Sequence, residues 1–126
     1  MLFPNAQKAY DQGKKATDST RHLEAAALFK TARMIEACQQ NWETPERVEQ
    51  LKAALRHNQR LWTFFQTELA RTDHELPVAL RIDLLQLSAF IDKRTFEILA
   101  NPSPEKLTAL IDINRHVGSG LSQEAA

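Results

Sequence analysis

The chain has 126 residues, 43% hydrophobic and 25% charged, which is enough for one core and too little for two comfortable ones. Lys plus Arg and Asp plus Glu both number 16, so the formal net charge is zero and the basic excess that drives non-specific nucleic-acid binding is missing. The single cysteine, Cys38, permits no intramolecular disulfide and fits a reducing cytoplasm, and the opening MLFPNAQKAYDQGKK has neither the long apolar run nor the small-residue cleavage site of a signal peptide.

The three glycines (13, 118 and 120) and the prolines at 4, 45, 77, 102 and 104 punctuate intervals filled by Leu, Ala, Glu, Lys, Arg and Gln. Those residues lose little rotamer freedom in a helix, so the expected class is all-α. The expected architecture is a small helical bundle of about five helices, two of them long and antiparallel. It forms a single domain over residues 1–126, with a loose tail from about residue 119.

Asn5 follows Pro4 and can cap a short first helix to about Gln12, with Gly13 suited to a left-handed end. Ala6, Ala9 and Tyr10 share a face that would dock on the rest. Ser19 or Thr20 opens a second helix to about Gln40, with Ala25, Leu28, Ala32 and Ile35 as its apolar stripe and Phe29 beside it. Cys38, near its end, reads as a small buried side chain.

Thr44-Pro45-Glu46 has the capping hydroxyl, first-position Pro and first-turn acid of a helix start. The third helix follows to about Ala70. Its seam, Val48, Leu51, Leu55, Asn58, Trp62, Phe65 and Leu69, alternates spacings of three and four and contains one polar member, Asn58. Phe64 stands off the seam beside His57, Arg60 and Glu68. Trp42, in the loop before this helix, reads as a lid on the bundle end.

Pro77 starts a fourth helix ending near Ala100. Leu80, Leu84, Leu87, Ile91 and Ile98 form one stripe; Ile82, Leu85, Ala89, Phe96 and Leu99 form another. A helix apolar on two stripes is expected to be central, with neighbours on both sides. Its remaining face is Asp83, Gln86, Phe90, Lys93 and Glu97. Asn101-Pro102-Ser103-Pro104-Glu105 ends that helix and caps a fifth, whose inner face is Leu107, Leu110, Ile111, Asn114 and Val117. Gly118-Ser119-Gly120 is expected to stop it.

Catalytic signatures are missing from this pattern. There is no phosphate-cradling glycine loop, no paired-Cys zinc spacing and no Ser nucleophile elbow. His22, His57, His74 and His116 are scattered, and Asp83 and Asp92 lie on different faces of one helix. The expectation is no enzyme, no metal and no cofactor. Polar residues in the apolar stripes are more informative. Asn58 and Asn114 are inward, and Arg94 and Asp92 fall on the two stripes of the fourth helix. One reading is a hydrogen-bonded set that fixes helix register. The other is a polar patch in a partner groove. The partner-binding candidates are therefore Phe64, Phe90, Arg60, Lys93, Asn58 and Arg94, with the two Phe as an apolar patch if they share a surface with the edge of Trp62.

The string Leu55-Arg56-His57-Asn58-Gln59-Arg60-Leu61-Trp62-Thr63-Phe64-Phe65 resembles the N-Q-x-L-W-x-x-F core of the flagellar biosynthesis regulator FlaF family. Leu76-Pro77, Leu80-Arg81 and Leu84-Leu85-Gln86-Leu87-Ser88 continue the likeness. Phe90-Ile91-Asp92-Lys93-Arg94-Thr95-Phe96 and Leu110-Ile111-Asp112-Ile113-Asn114-Arg115 complete it, and Leu23-Glu24-Ala25 with Leu28 and Trp42 also fits. The likeness covers roughly residues 6–121 and departs at Met1–Asn5 and His116-Val117. It implies a cytoplasmic flagellin-binding secretion chaperone and post-transcriptional regulator of flagellin production. Its implied partners are flagellin and a second flagellar regulator, with no direct nucleic-acid contact and no membrane. The alternative is a translational regulator acting on flagellin mRNA, directly or through that second regulator.

Overall fold

Good helix formers run from the first residues to Gln40, and they fold as one helix. The structure, a computed structural model, describes the backbone of residues 3–71 and 76–125. Among these, α1 (Phe3–Gln40), α2 (Arg47–Leu69), α3 (Val78–Ala100) and α4 (Thr108–Ala125) are the α-helices, with a 3-10 turn at Pro104–Leu107 before α4. The all-α expectation holds, but the count is four rather than five. The first two expected helices are one because Gly13 stays in right-handed helical geometry; no described glycine has positive φ. Helical Gly costs only about 1 kcal/mol against Ala, and Lys14, Lys15 and Ala16 continue the helix at once. The Asn5 cap, the side chains of Ala6 and Tyr10 and the loop 72–75 lie outside the described residues, while Ala9 is exposed rather than docked.

Two other expected ends also move. Thr44 does not cap α2: its hydroxyl donates to Asn41 O at 3.0 Å inside the turn, and the cap position falls to Glu46. Gly118 and Gly120 do not stop α4, which continues to Ala125, so the expected loose tail is helix. Gly118 is there for closeness: a Cβ on it would come within 3.0 Å of the Phe29 ring on α1.

Contacts along the chain set the directions. Gln39 Nε2 donates to Pro104 O and Thr108 Oγ1, Arg115 pairs with Glu36 at 2.8 Å, and Gly118 meets Phe29, so α1 and α4 are antiparallel. Arg81 Nε donates to Leu69 O, Gln66 meets Ser88 and Asp92, and Leu51 and Ile98 line one groove, so the two 23-residue helices α2 and α3 are antiparallel as expected. The packed neighbours run α1 to α2 to α3 to α4 and back to α1, which leaves α2 and α4 diagonally opposed.

The core is the expected one: Ala25, Leu28, Ala32 and Ile35 from α1, Leu51 to Leu69 from α2, Leu84, Ile91 and Ile98 from α3, and Leu107, Leu110 and Ile111. Val48, expected in the α2 seam, and Leu80, expected in the first stripe of α3, are instead exposed. At the centre a polar ladder crosses the diagonal. Trp62 Nε1 donates to Asn114 Oδ1 at 2.9 Å, and Asn114 Nδ2 donates to Asn58 Oδ1 at 2.8 Å. All three side chains are buried, and Asn58 Nδ2 ends the ladder with no partner. The buried hydroxyls Thr31 and Thr95 are satisfied by carbonyls one turn back, Ala27 O and Ile91 O.

Two pairs of substitutions test this account. Asn114→Leu orphans both the Trp62 N–H and Asn58 Oδ1, whereas Asn58→Leu orphans one amide hydrogen and removes an existing orphan. Each buried orphan costs about 1–3 kcal/mol. Urea unfolding should therefore show Asn114→Leu losing about 2–6 kcal/mol and Asn58→Leu about 1 kcal/mol or less. Nothing lies within 4 Å of a Cβ on Gly120, so Gly120→Ala should raise stability by about 0.5–1 kcal/mol. Gly118→Leu should lower stability by driving into Phe29.

Candidate functional site

The seam of α2 buries Asn58, Trp62 and Phe65, so the residues left for a partner are those the seam turns outward. Asn58 is 0% exposed and bonded inside the core, which removes it from the partner-binding set. The edge of Trp62 is equally closed, at 1%. Phe64 is 49% exposed and leans on Phe65, with ring centroids 5.9 Å apart. It stands on the flank of α2 that faces α1. There His57 Nδ1 lies 2.9 Å from Thr31 Oγ1. The one hydroxyl proton of Thr31 goes to Ala27 O, so His57 presents Nδ1–H as the donor. Arg60 is exposed on this flank.

Phe90, 38% exposed, stands on the flank of α3 that faces α4. The Arg94 guanidinium lies 5.3 Å from its ring centroid and donates through Nη1 to Lys106 O at 3.3 Å. Arg94 Nε lies 3.2 Å from the Glu97 carboxylate, poorly aligned for a hydrogen bond, and we treat it as an ion pair. Arg94 thus ties α3 to the turn before α4. Lys93 is exposed and points to solvent. The α2–α3 interface, with Gln66 reaching Ser88 and Asp92 Oδ2, separates the two flanks. The structure therefore does not bring Phe64 and Phe90 onto one surface.

It exposes a different set. The second stripe of α3, expected to face a neighbour, faces solvent: Ile82 is 48% exposed, Phe96 74% and Leu99 51%, with Ala89 exposed and Leu85 half-buried, and Val78, one turn before Ile82, extends it at 64%. Where this stripe meets α2, Val48, Leu51, Ile98, Leu99 and Pro102 line an open groove of about 160 Å³. Arg47 and Lys52 complete the lining, and no carboxylate is among the described lining residues. Arg47 is held in place with its guanidinium 4.6 Å above the Trp42 ring, and Trp42 packs on the core end as the expected lid. Exposed apolar surface of this kind marks interaction sites, here interrupted by Asp92 between Ala89 and Phe96. The stripe was legible in the spacing; its exposure was not.

Two described titratable groups are shifted by burial. Cys38 is the small buried side chain expected from sequence, and burial pushes its thiol up. The Glu24 carboxyl on α1 is raised above its ordinary value, first by burial and further by Glu68, against a lowering by Arg21. Arg81, one of three arginines that could have formed an RNA-binding patch with Arg56 and Arg60, spends its guanidinium on Leu69 O and Arg71 O at 3.1 and 2.8 Å. No group of His, Cys, Asp and Glu among the described residues could hold a metal. No helix among them is long and apolar enough to cross a membrane.

The chain matches the family described as flagellar protein FlaF over residues 6–121. Comparison with curated proteins and with solved structures returned no match.

Glu24 gives a pH test of this flank. Its folded carboxyl holds a proton more tightly than the ordinary 4.5 of the unfolded chain. The stability it contributes is complete below that value and is lost as pH rises through the raised one. Glu24→Gln should therefore be more stable than the parent at pH 7, and the two should converge towards pH 4. Urea midpoints at the two pH values check both the sign and the window.

Proposed function

We propose that this chain, which belongs to the flagellar protein FlaF family, is a flagellin-binding secretion chaperone that also sets flagellin production after transcription. The supporting observation is the combination of a family match across nearly the whole chain with a bundle that leaves a long apolar helix face uncovered. A filament subunit must stay unpolymerised until it is exported. Its assembly depends on amphipathic helices, and a helical bundle with an open apolar face can cover one by helix-in-groove packing. The bundle's own stability does not need that face, because the core closes without it. Regulation follows by mass action: a chaperone occupied by client is unavailable to a second regulator, so free flagellin itself would report on export.

Direct action on flagellin mRNA is the competing reading. Zero net charge and the commitment of Arg81 to backbone carbonyls weigh against it.

Affinity-tagged protein from flagellated cells should bring down flagellin as its main companion, and the purified pair should re-form a soluble complex that blocks filament growth. Recovery of flagellin leader RNA with salt-sensitive binding, and of no flagellin, would overturn the chaperone reading in favour of the RNA one.

A further inference from the structure

The solvent-facing stripe of α3 has the periodicity of an interhelical seam. Val78, Ile82, Leu85, Ala89, Phe96 and Leu99 are spaced by three, four or seven, and the one seam position between Ala89 and Phe96 is Asp92. This is the same alternation of three and four that packs α2 into the core. On α2 every such position from Leu51 to Leu69 is buried; on α3 the second seam has no helix against it.

Both the length and the charge of this face bear on its occupant. From Val78 to Leu99 the stripe runs about 32 Å at 1.5 Å per residue, or about six helical turns. A side-by-side helix fills such a surface by setting its own three-four seam into the holes between these side chains. Along the side towards α2, the groove at Val48, Leu51 and Leu99 carries Arg47 and Lys52, with no described carboxylate in the lining. Arg56, one turn beyond Lys52, is also exposed, as is Lys93 one turn from Ala89 and Phe96. The carboxylate of Asp92 is held by the Gln66 amide at 3.1 Å. The lining on the groove side of the stripe is therefore cationic, with Glu49 one turn before Lys52, while Asp83 and the Arg94-paired Glu97 lie on the side away from the groove.

From this juxtaposition we infer that the outer face of α3 and the groove it shares with α2 are the docking site for one amphipathic helix whose apolar seam is flanked by acidic residues. The owner of the helix rests on the chaperone reading, which makes it the flagellin client. Ile82, Phe96 and Leu99 supply the apolar contact; Lys52 and Arg56 select acidic flanks and steer the approach. Phe64, on the flank towards α1, takes no part.

Two synthetic helical peptides of about 21 residues, with the same Leu seam and either Glu or Lys flanks, are the probes for the full chain. Fluorescence anisotropy should show the Glu-flanked peptide binding at least tenfold tighter, with the preference shrinking as salt is raised. The double variant Ile82→Gln plus Phe96→Gln, at exposed positions, should keep the parent's circular dichroism and lose at least tenfold in peptide affinity. Lys52→Glu should narrow or reverse the preference between the peptides, and Phe64→Ala should change nothing. Equal binding of the two peptides, or full binding by the double variant, overturns the inference. So does a dimer mass in light scattering that the double variant converts to a monomer, since a second copy would then own the face. Flagellin itself separates the two claims. If it binds the parent and the double variant alike, the docking site is wrong and the chaperone reading stands. If it binds neither while the Glu-flanked peptide still distinguishes them, the docking site stands and the client is wrong.

Discussion

The indole N–H of Trp62 can donate and cannot accept, and the rest of the core follows from that restriction. Buried at the centre, it needs an oxygen, and Asn114 Oδ1 supplies it. The amide nitrogen of Asn114 is thereby turned towards α2, where Asn58 must show its own oxygen. Each step fixes the orientation of the next, and the ladder ends on the unpartnered Asn58 Nδ2. The chain tolerates that orphan in exchange for one permitted register between two helices that have no direct backbone approach among the described residues. Slipping α4 by a turn would leave Trp62 and Asn58 both unpaired in an apolar interior.

Fixing the diagonal pair also determines what α1 and α3 can do, since they fill the two remaining corners. On α1 the consequence is close packing: Gly118 lets α4 come near enough for Phe29 to lie over its backbone. On α3 the consequence is exposure. Its first seam enters the core at Leu84, Ile91 and Ile98, helped by the small polar residues Ser88 and Thr95. Its second seam is then turned out by about a third of the helix circumference, where α2 reaches only its edge. None of the other described helices covers that seam, and its apolar side chains remain exposed.

The candidate site was legible in part. Phe64 and Phe90 were identified as outward by their positions off the apolar stripes, and both are exposed. That they stand on opposite flanks follows from the order of helices around the bundle, which no one-helix pattern contains. Asn58 could be read as core amide or groove floor from spacing alone; its partner Asn114 lies 56 residues away, and only that contact decides for the core. Arg94 looked available for a ligand on a helix face, but the turn at Lys106 had already taken its guanidinium.

By itself the sequence determined the all-α class, the apolar stripes and most of the core, though not the number of helices, because three-four spacing and helix-forming composition act locally, within a turn or two. It also carried, by likeness along nearly its whole length, the family to which the chain belongs. Where helices end was less secure: Gly13, Gly118 and Gly120 permit a left-handed turn without requiring one. Only the tertiary structure decided that the second seam of α3 meets solvent. An apolar stripe has the same spacing whether a helix of the same chain covers it or another molecule's does. What distinguishes the two is the number and order of helices around it, a property of the assembled bundle rather than of any segment.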